Sequence, residues 1–188
     1  YTTAFPVATA IAQTFNTELA YEIGTAIYSE MKEYGCTFWL APALNIHRNP
    51  LCGRNFEYYS EDPFVAGKMA VAMVRGIQSE KIVATPKHFA CNNKETNRNE
   101  SNSILSERAL REIYLKGFEI CVKESDPKLI MTSYNLINGI YASESAELLE
   151  GVLRREWGFD GLVTTDWCNG ASKYTEIIAG NDIRMPDI

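Results

Sequence analysis

Short apolar runs, each followed by a polar loop and then by a helical segment, are the feature that most restricts the fold of this chain. Four such runs occupy residues 37–41, 82–85, 129–132 and 161–165, and a fifth is predicted at 182–185. Their apolar residues are continuous rather than alternating, as in strands of a sheet covered on both faces. The repeated order of strand, loop and helix predicts a parallel α/β fold.

Helices are predicted from apolar residues at helical spacing and from their end signals. In the first, apolar residues recur at every fourth position from Ile11 to Met31, and Gly35 is a plausible stop. Ser106 has the position of an N-cap. The predicted helices cover residues 8–34, 64–78, 106–123, 145–156 and 172–179.

Loop composition favours a (β/α)8 barrel over a doubly wound sheet. The loops that follow the predicted strands are long and rich in charged and amide side chains, whereas those that precede them are short. In such barrels the chemistry lies on the loops after the strands. A complete barrel needs ~250 residues, so the 188 residues predict a partial TIM-like barrel. We expect one domain, residues 1–188, with roughly the later five to six strand–helix units and incomplete on its N-terminal side.

Composition removes several classes of protein. The net charge of −6 argues against a nucleic-acid-binding protein. No apolar run reaches the ~20 residues of a membrane-spanning helix, so no membrane association is expected. Five cysteines without a CxxC pair argue against a disulfide scaffold and against a zinc site. A generous supply of Phe, Tyr and Trp suits both a core and the binding of sugar rings.

Polar side chains follow every predicted strand, and a parallel barrel would bring them to one mouth. That mouth would combine planar donors, cations, aromatic faces and Asp166, a carboxylate directly after a strand. This mixture suits a neutral ligand rich in hydroxyl groups. No Gly-rich phosphate loop, GxGxxG, Walker or HExxH motif is present, which argues against a phosphorylated ligand. Taken without further context, however, Asp166 fits a helix N-cap as well as a catalytic group.

Six motifs in series are similar to the N-terminal barrel domain of glycoside hydrolase family 3, the β-glucosidase group. They span nearly the whole chain in the family's order. They are Leu40-Ala41-Pro42 with Asn45-Ile46-His47-Arg48, Gly53-Arg54-Asn55-Phe56-Glu57 with Ser60-Glu61-Asp62-Pro63, Lys87-His88-Phe89 with Asn93, Glu95 and Arg98, Ser133-Tyr134-Asn135 with Asn138-Gly139, Gly158-Phe159-Asp160-Gly161 leading to Thr165-Asp166-Trp167, and Ala179-Gly180-Asn181-Asp182 with Met185-Pro186.

The resemblance implies a retaining β-glycosidase with Asp166 as the nucleophile that forms a glycosyl-enzyme. It implies that Glu57 and Glu95 orient cationic side chains rather than act as acids. We expect nearby cations to keep the pKa of Asp166 low. The substrate-binding residues that the resemblance implies are Arg54, Lys87, His88 and Arg98 as a clamp on sugar hydroxyls, Met131 and Tyr134 near the nucleophile, and Trp167 as a stacking platform.

The same resemblance implies that further parts of the enzyme lie outside these residues. An upstream Asp that grips the outer sugar hydroxyls and a Glu acid/base on a second α/β domain are both expected elsewhere. The partner of this segment is therefore the remainder of the same enzyme, and the segment alone is expected to be inactive. No metal or organic cofactor is expected, because two carboxylates suffice for the reaction.

The substrate class leaves alternatives open. Small β-glucosides or oligosaccharides are the expected substrates, and β-xylosides are the first alternative, since contacts to the outer hydroxyls are expected outside this segment. A β-N-acetylglucosaminidase would carry a Lys-His-Phe-Pro-Gly-His type stretch, but Ala90 and Cys91 follow Phe89 here. A non-catalytic sugar-binding fragment is the alternative from another functional class.

Overall fold

The computed structural model describes residues 1–186. Its strands are β1 (Phe38–Trp39), β2 (Val83–Ala84), β3 (Asn102–Ser103), β4 (Leu129–Met131), β5 (Leu136–Ile137), β6 (Ile140–Tyr141) and β7 (Leu162–Thr164). Its α-helices are α1 (Ala8–Ala12), α2 (Thr17–Glu33), α3 (Pro63–Ile77), α4 (Glu107–Ala109), α5 (Lys116–Ser125) and α6 (Lys173–Ala179). Two π-helical segments, Leu110–Tyr114 and Glu147–Glu156, and two 3-10 turns, Asn55–Glu57 and Ala142–Glu144, complete the list.

Parallel pairing joins the four strongest predicted strands in chain order. β1 pairs with β2, and β4 pairs with β7. A parallel bridge between Phe89 and Thr132 connects these two pairs. The predicted parallel α/β arrangement is therefore confirmed for the described residues, and the carboxyl ends of these strands lie on one side.

The fifth predicted strand, residues 182–185, is wrong in extent. Only Ile183 pairs, through a parallel bridge to Thr164. The Oδ2 atom of Asp182 accepts the backbone N–H of Val163 at 2.7 Å, so a side chain occupies a place that a second strand carbonyl would take. Asp187, the polar residue that follows this predicted strand in the sequence, lies outside the described residues.

A small additional sheet was not predicted. β5 pairs in parallel with β3 and antiparallel with β6. All three strands lie within segments interpreted as polar loops, and each has only two residues. Such short segments carry no recognisable period, because a strand pattern needs about four residues to be seen.

The first predicted helix is interrupted, so its prediction as one element is wrong. Phe15 has a left-handed φ of 50°, and Asn16 then caps α2 by accepting the N–H groups of Glu18 and Leu19. An asparagine side chain competes well for such backbone groups, which is why it starts helices. The predicted cap at Ser106 is confirmed, since its Oγ accepts the N–H of Ala109 at 3.2 Å.

Helices α2, α3 and α5 form a layer behind the strands. At the crossing of α2 and α3, a Cβ added to Gly24 would lie 2.8 Å from the carbonyl oxygen of Met73. Glycines thus let the backbones of α2 and α3 come into contact. Helix α3 is buried along most of its length. None of the helices within residues 1–186 is long and apolar enough to cross a membrane.

Candidate active site

Asp166 lies two residues beyond β7 and is almost fully buried. Its Oδ1 accepts the backbone N–H of Trp167 at 2.8 Å, and the hydroxyl of Tyr134 donates a hydrogen bond to the carboxylate. Its Oδ2 lies 3.7 Å from Nε2 of His88. The carboxylate is therefore held on one side by an N–H group, while Oδ2 faces the ring of His88.

Burial raises the pKa of Asp166 above its ordinary value. The N–H of Trp167, the hydroxyl of Tyr134 and the charges of Arg54 and Lys87 all lower this pKa, but together they do not offset the loss of solvent. The expectation of a low pKa is therefore wrong in sign. The physical reason is that burial raises the pKa of this carboxyl by more than the neighbouring N–H, hydroxyl and cations lower it.

Glu57 connects two of the predicted clamp residues. It forms an ion pair with Arg54, three residues earlier on the same 3-10 turn. Its other oxygen, Oε2, lies 3.4 Å from Nζ of Lys87. All three side chains are largely buried, so Glu57 holds two cations beside Asp166 by ion pairs.

Glu95 has the same relation to Arg98. Nη1 of Arg98 donates to Oε2 of Glu95 at 2.8 Å. The guanidinium carbon of Arg98 lies 4.3 Å from the centre of the Tyr134 ring, which is a cation–π contact. Burial, and then the charge of Asp166, raise the pKa of Tyr134 to about 12, so Tyr134 keeps its proton and donates a hydrogen bond to the carboxylate.

His88 is an uncharged histidine in this setting. Its side chain is 1% exposed, and burial together with the charges of Arg54, Lys87 and Arg98 holds its pKa well below the ordinary value. Two non-proline cis peptide bonds, Lys87–His88 and Phe89–Ala90, lie on either side of it. The 3.7 Å approach to Asp166 is thus a contact between a neutral ring and a carboxylate.

The two remaining predicted contact residues lie at or beyond the carboxyl ends of β4 and β7. Met131 ends β4 and is 1% exposed. Trp167 follows Asp166 directly and is partly buried. Within residues 1–186, no group of three or more His, Cys, Asp or Glu side chains is arranged to hold a metal ion.

One residue of the cluster received no role from the sequence. Asn45 is buried and hydrogen-bonds His88 through its backbone and its ring. Its only signals were a place in the polar loop after the first predicted strand and a place in the first of the six motifs. Such a loop contains many amides, and nothing in its spacing separates one that contacts a distant histidine.

The sequence profile of the glycosyl hydrolase family 3 N-terminal domain matches residues 1–182. This chain belongs to glycosyl hydrolase family 3. The resemblance inferred from the six motifs is therefore confirmed.

Named members of this family are similar over nearly the whole chain. β-Glucosidase A of Butyrivibrio fibrisolvens is 61% identical over 184 residues, which are 98% of this chain and 22% of that protein. The exo-α-(1→6)-L-arabinopyranosidase of Bifidobacterium longum is 45% identical over 184 residues, 98% of this chain and 24% of that protein. The structure of β-glucosidase 3B from Thermotoga neapolitana in complex with glucose superposes with a TM-score of 0.97 at 56% identity, covering 99% of this chain and 26% of that one.

The chain thus spans about a quarter of the length of the family members it matches. This part contains Asp166 and the side chains around it, namely Tyr134, His88, Arg54, Glu57 and Lys87.

Proposed function

We propose that the protein of which this chain is a part is a retaining β-glucosidase with Asp166 as its nucleophile. The observation that carries the proposal is the buried Asp166 carboxylate, bonded by Tyr134 and by the N–H of Trp167 and facing His88. The relatives named β-glucosidase and the similar structure with glucose support a glucoside as the substrate.

In the proposed reaction, Oδ2 of Asp166 attacks the anomeric carbon while the glycosidic bond breaks. An acid on another part of the enzyme gives its proton to the leaving oxygen, and a glycosyl ester of Asp166 remains. Water, deprotonated by the same group, then attacks the anomeric carbon and releases Asp166. The N–H of Trp167 on Oδ1 holds the carboxylate in place through both steps.

The cations around Asp166 are proposed to bind the glycone. Arg54, Lys87 and Arg98 supply donors for sugar hydroxyls, and Glu57 and Glu95 fix their directions. Trp167 would stack on the sugar ring, and Met131 would close the site from β4. No cofactor is assigned, because the proposed chemistry uses two carboxylates.

The strand order supports a place for this chain within a (β/α)8 barrel. β1, β2, β4, β7 and the bridge at Ile183 follow one another in parallel, as five consecutive barrel positions would. We propose that the remaining strands, the outer-hydroxyl contact and the acid/base lie on other parts of the enzyme. An isolated 188-residue segment is then expected to lack turnover.

Trapping of the glycosyl-enzyme tests this proposal. The full-length enzyme is treated with a 2-deoxy-2-fluoro-β-glucoside carrying a good leaving group, and the labelled peptide is mapped by mass spectrometry. We expect stoichiometric inactivation and one label, on Asp166. A label on another carboxylate would overturn the assignment, and a folded enzyme without any label would point to a different glycone or to a sugar-binding protein without turnover.

A pentopyranoside is the second candidate substrate. The relative named exo-α-(1→6)-L-arabinopyranosidase supports it at 45% identity, and a β-xyloside belongs to the same class of sugars without a hydroxymethyl group. Comparison of kcat/KM for the 4-nitrophenyl β-glucoside, β-xyloside and α-L-arabinopyranoside decides between them. A β-glucoside value below either pentoside value would replace the glucosidase proposal.

A further inference from the structure

Asn45 is bound to His88 by a reciprocal pair of hydrogen bonds. Its Nδ2 donates to the carbonyl oxygen of His88 at 2.9 Å, and its Oδ1 accepts the backbone N–H of His88 at 2.9 Å. Asn45 is 3% exposed. Because one bond needs a donor and the other an acceptor, the amide has only one orientation that satisfies both.

The same oxygen of Asn45 also meets the ring of His88. Oδ1 lies 3.2 Å from Nδ1. A carbonyl oxygen only accepts hydrogen bonds, so Nδ1 must carry the ring proton. In a neutral ring, Nε2 then has a free lone pair, and this is the atom that lies 3.7 Å from Oδ2 of Asp166.

We propose that Asn45 is a positioning residue that fixes the tautomer of His88, so that Nε2 presents a hydrogen-bond acceptor beside the nucleophile. This inference rests on the function proposed above. Nε2 and Oδ2 are then two acceptors side by side, so Nε2 can accept a hydrogen bond from a sugar hydroxyl while Oδ2 stays free for the attack. The arrangement also keeps His88 from forming a charged pair with Asp166, which would occupy the attacking oxygen.

The cations that face His88 act in the same direction. Arg54, Lys87 and Arg98 disfavour a second ring proton. Asp166, the facing anion, acts in the opposite direction. The ring of Tyr58 packs edge-on at 6.3 Å and has no charge to add. Asn45 is the group that touches Nδ1, and an aspartate there would favour the charged imidazolium.

Asn45→Asp in the full-length enzyme tests this role. Its carboxylate still accepts from Nδ1 but stabilises a doubly protonated ring, which pairs with Asp166 at low pH. We expect kcat/KM to fall about 10- to 100-fold at low pH and to recover to within a few fold of the wild-type value at high pH. The acid limb of the pH profile of kcat/KM then moves to higher pH. A uniform loss at all pH values, or an unmoved limb, would overturn the proposal.

Asn181→Asp is the matched control. Asn181 is also buried, and its Nδ2 donates to the carbonyl oxygens of Ser143 and Glu176, away from His88. We expect this variant to lower the melting temperature without moving the pH profile. If it moves the profile as Asn45→Asp does, a general effect of buried charge replaces the role of Asn45.

Nitrogen-15 spectra of histidine-labelled wild-type enzyme provide a readout independent of activity and of variant folding. His88 is assigned by loss of its signals in His88→Gln. The proposal expects Nδ1 protonated and Nε2 unprotonated near neutral pH, and the opposite tautomer would overturn it. If Nδ1 carries the proton but the fluoroglucoside does not label the enzyme, the role of Asn45 is supported while the proposed β-glucosidase function is not.

Discussion

The helix layer behind the strands and the loops beyond the strand ends are held together in different ways. Where α2 crosses α3, apolar side chains and glycines give close backbone contact, as at Gly24 and Gly76. In the loops, buried polar groups bond one another, as Asn45 bonds His88 and Ser133 bonds the carbonyl oxygen of Ala90. The layer contributes apolar burial, whereas each loop contact mainly offsets the cost of burying its own groups.

Asp166 shows that cost most clearly. Its folded-state pKa is raised by burial, so the native protein holds this proton more tightly than the unfolded chain does. That stability is present below the unfolded pKa and is lost as the pH rises through the folded pKa. At neutral pH the ionised carboxylate is therefore a destabilising group, and it is the form that the proposed reaction requires.

Asp166→Asn separates the two regions most strongly. We expect kcat to fall by about 10⁴-fold or more, while the melting temperature at pH 7 stays equal or rises by a few degrees, because the buried charge is gone. Steady-state kinetics and calorimetry measure both. The control, Asp160→Asn, changes an exposed carboxylate and should leave both unchanged; a large drop in melting temperature for Asp166→Asn would contradict the comparison.

Gly76→Ala tests the helix layer. A Cβ at Gly76 would overlap the carbonyl oxygen of Tyr21, and such overpacking costs about 3 kcal/mol. Thermal unfolding should show a lower melting temperature, with kcat/KM per folded molecule unchanged. Gly151→Ala is the matched control, since its nearest atom would be 3.9 Å away; equal losses for both variants would show that close contact is not the cause.

Tyr134→Phe removes a single hydrogen bond to Asp166. Hydrogen bonds to charged groups contribute about 1.5–3 kcal/mol, so kcat/KM should fall about 10- to 100-fold. The hydroxyl lowers the pKa of Asp166, so its removal raises that pKa and moves the acid limb of the pH profile to higher pH. Tyr174→Phe, at an exposed tyrosine, should move neither quantity, and an acid limb shifted downward in Tyr134→Phe would refute this coupling.

Lys68→Met gives the smallest expected effect. Nζ of Lys68 lies 2.7 Å from Oε1 of Glu124 between α3 and α5, but both side chains are more than one-third exposed. Solvent-exposed pairs contribute only about 0–1 kcal/mol. Unfolding should therefore change little, and a loss comparable to that of Gly76→Ala would mean that the layer depends on charge as well as on packing.

The two regions also differ in how far sequence alone predicts them. Helices α2 and α3 follow from the sequence because their apolar side chains, which pack against the rest of the fold, recur with the helical turn. The break at Phe15 was missed, since one capping asparagine outweighed a regular apolar pattern. In the site, the motifs predicted Asp166 and the residues of the sugar clamp. The raised pKa of Asp166 and the pairing of Asn45 with His88 were not predictable, because they depend on burial and on contacts between distant loops.

Azide rescue of Asp166→Gly tests the central claim, that Asp166 attacks the anomeric carbon, most directly. The variant of the full-length enzyme is incubated with 2,4-dinitrophenyl β-glucoside and sodium azide, and the product is identified by NMR. Azide entering the space left by the carboxylate attacks opposite the leaving group, so we predict α-glucosyl azide and restored release of dinitrophenol. Formation of β-glucosyl azide, or no rescue in a folded variant, would contradict the assignment of Asp166 as the nucleophile.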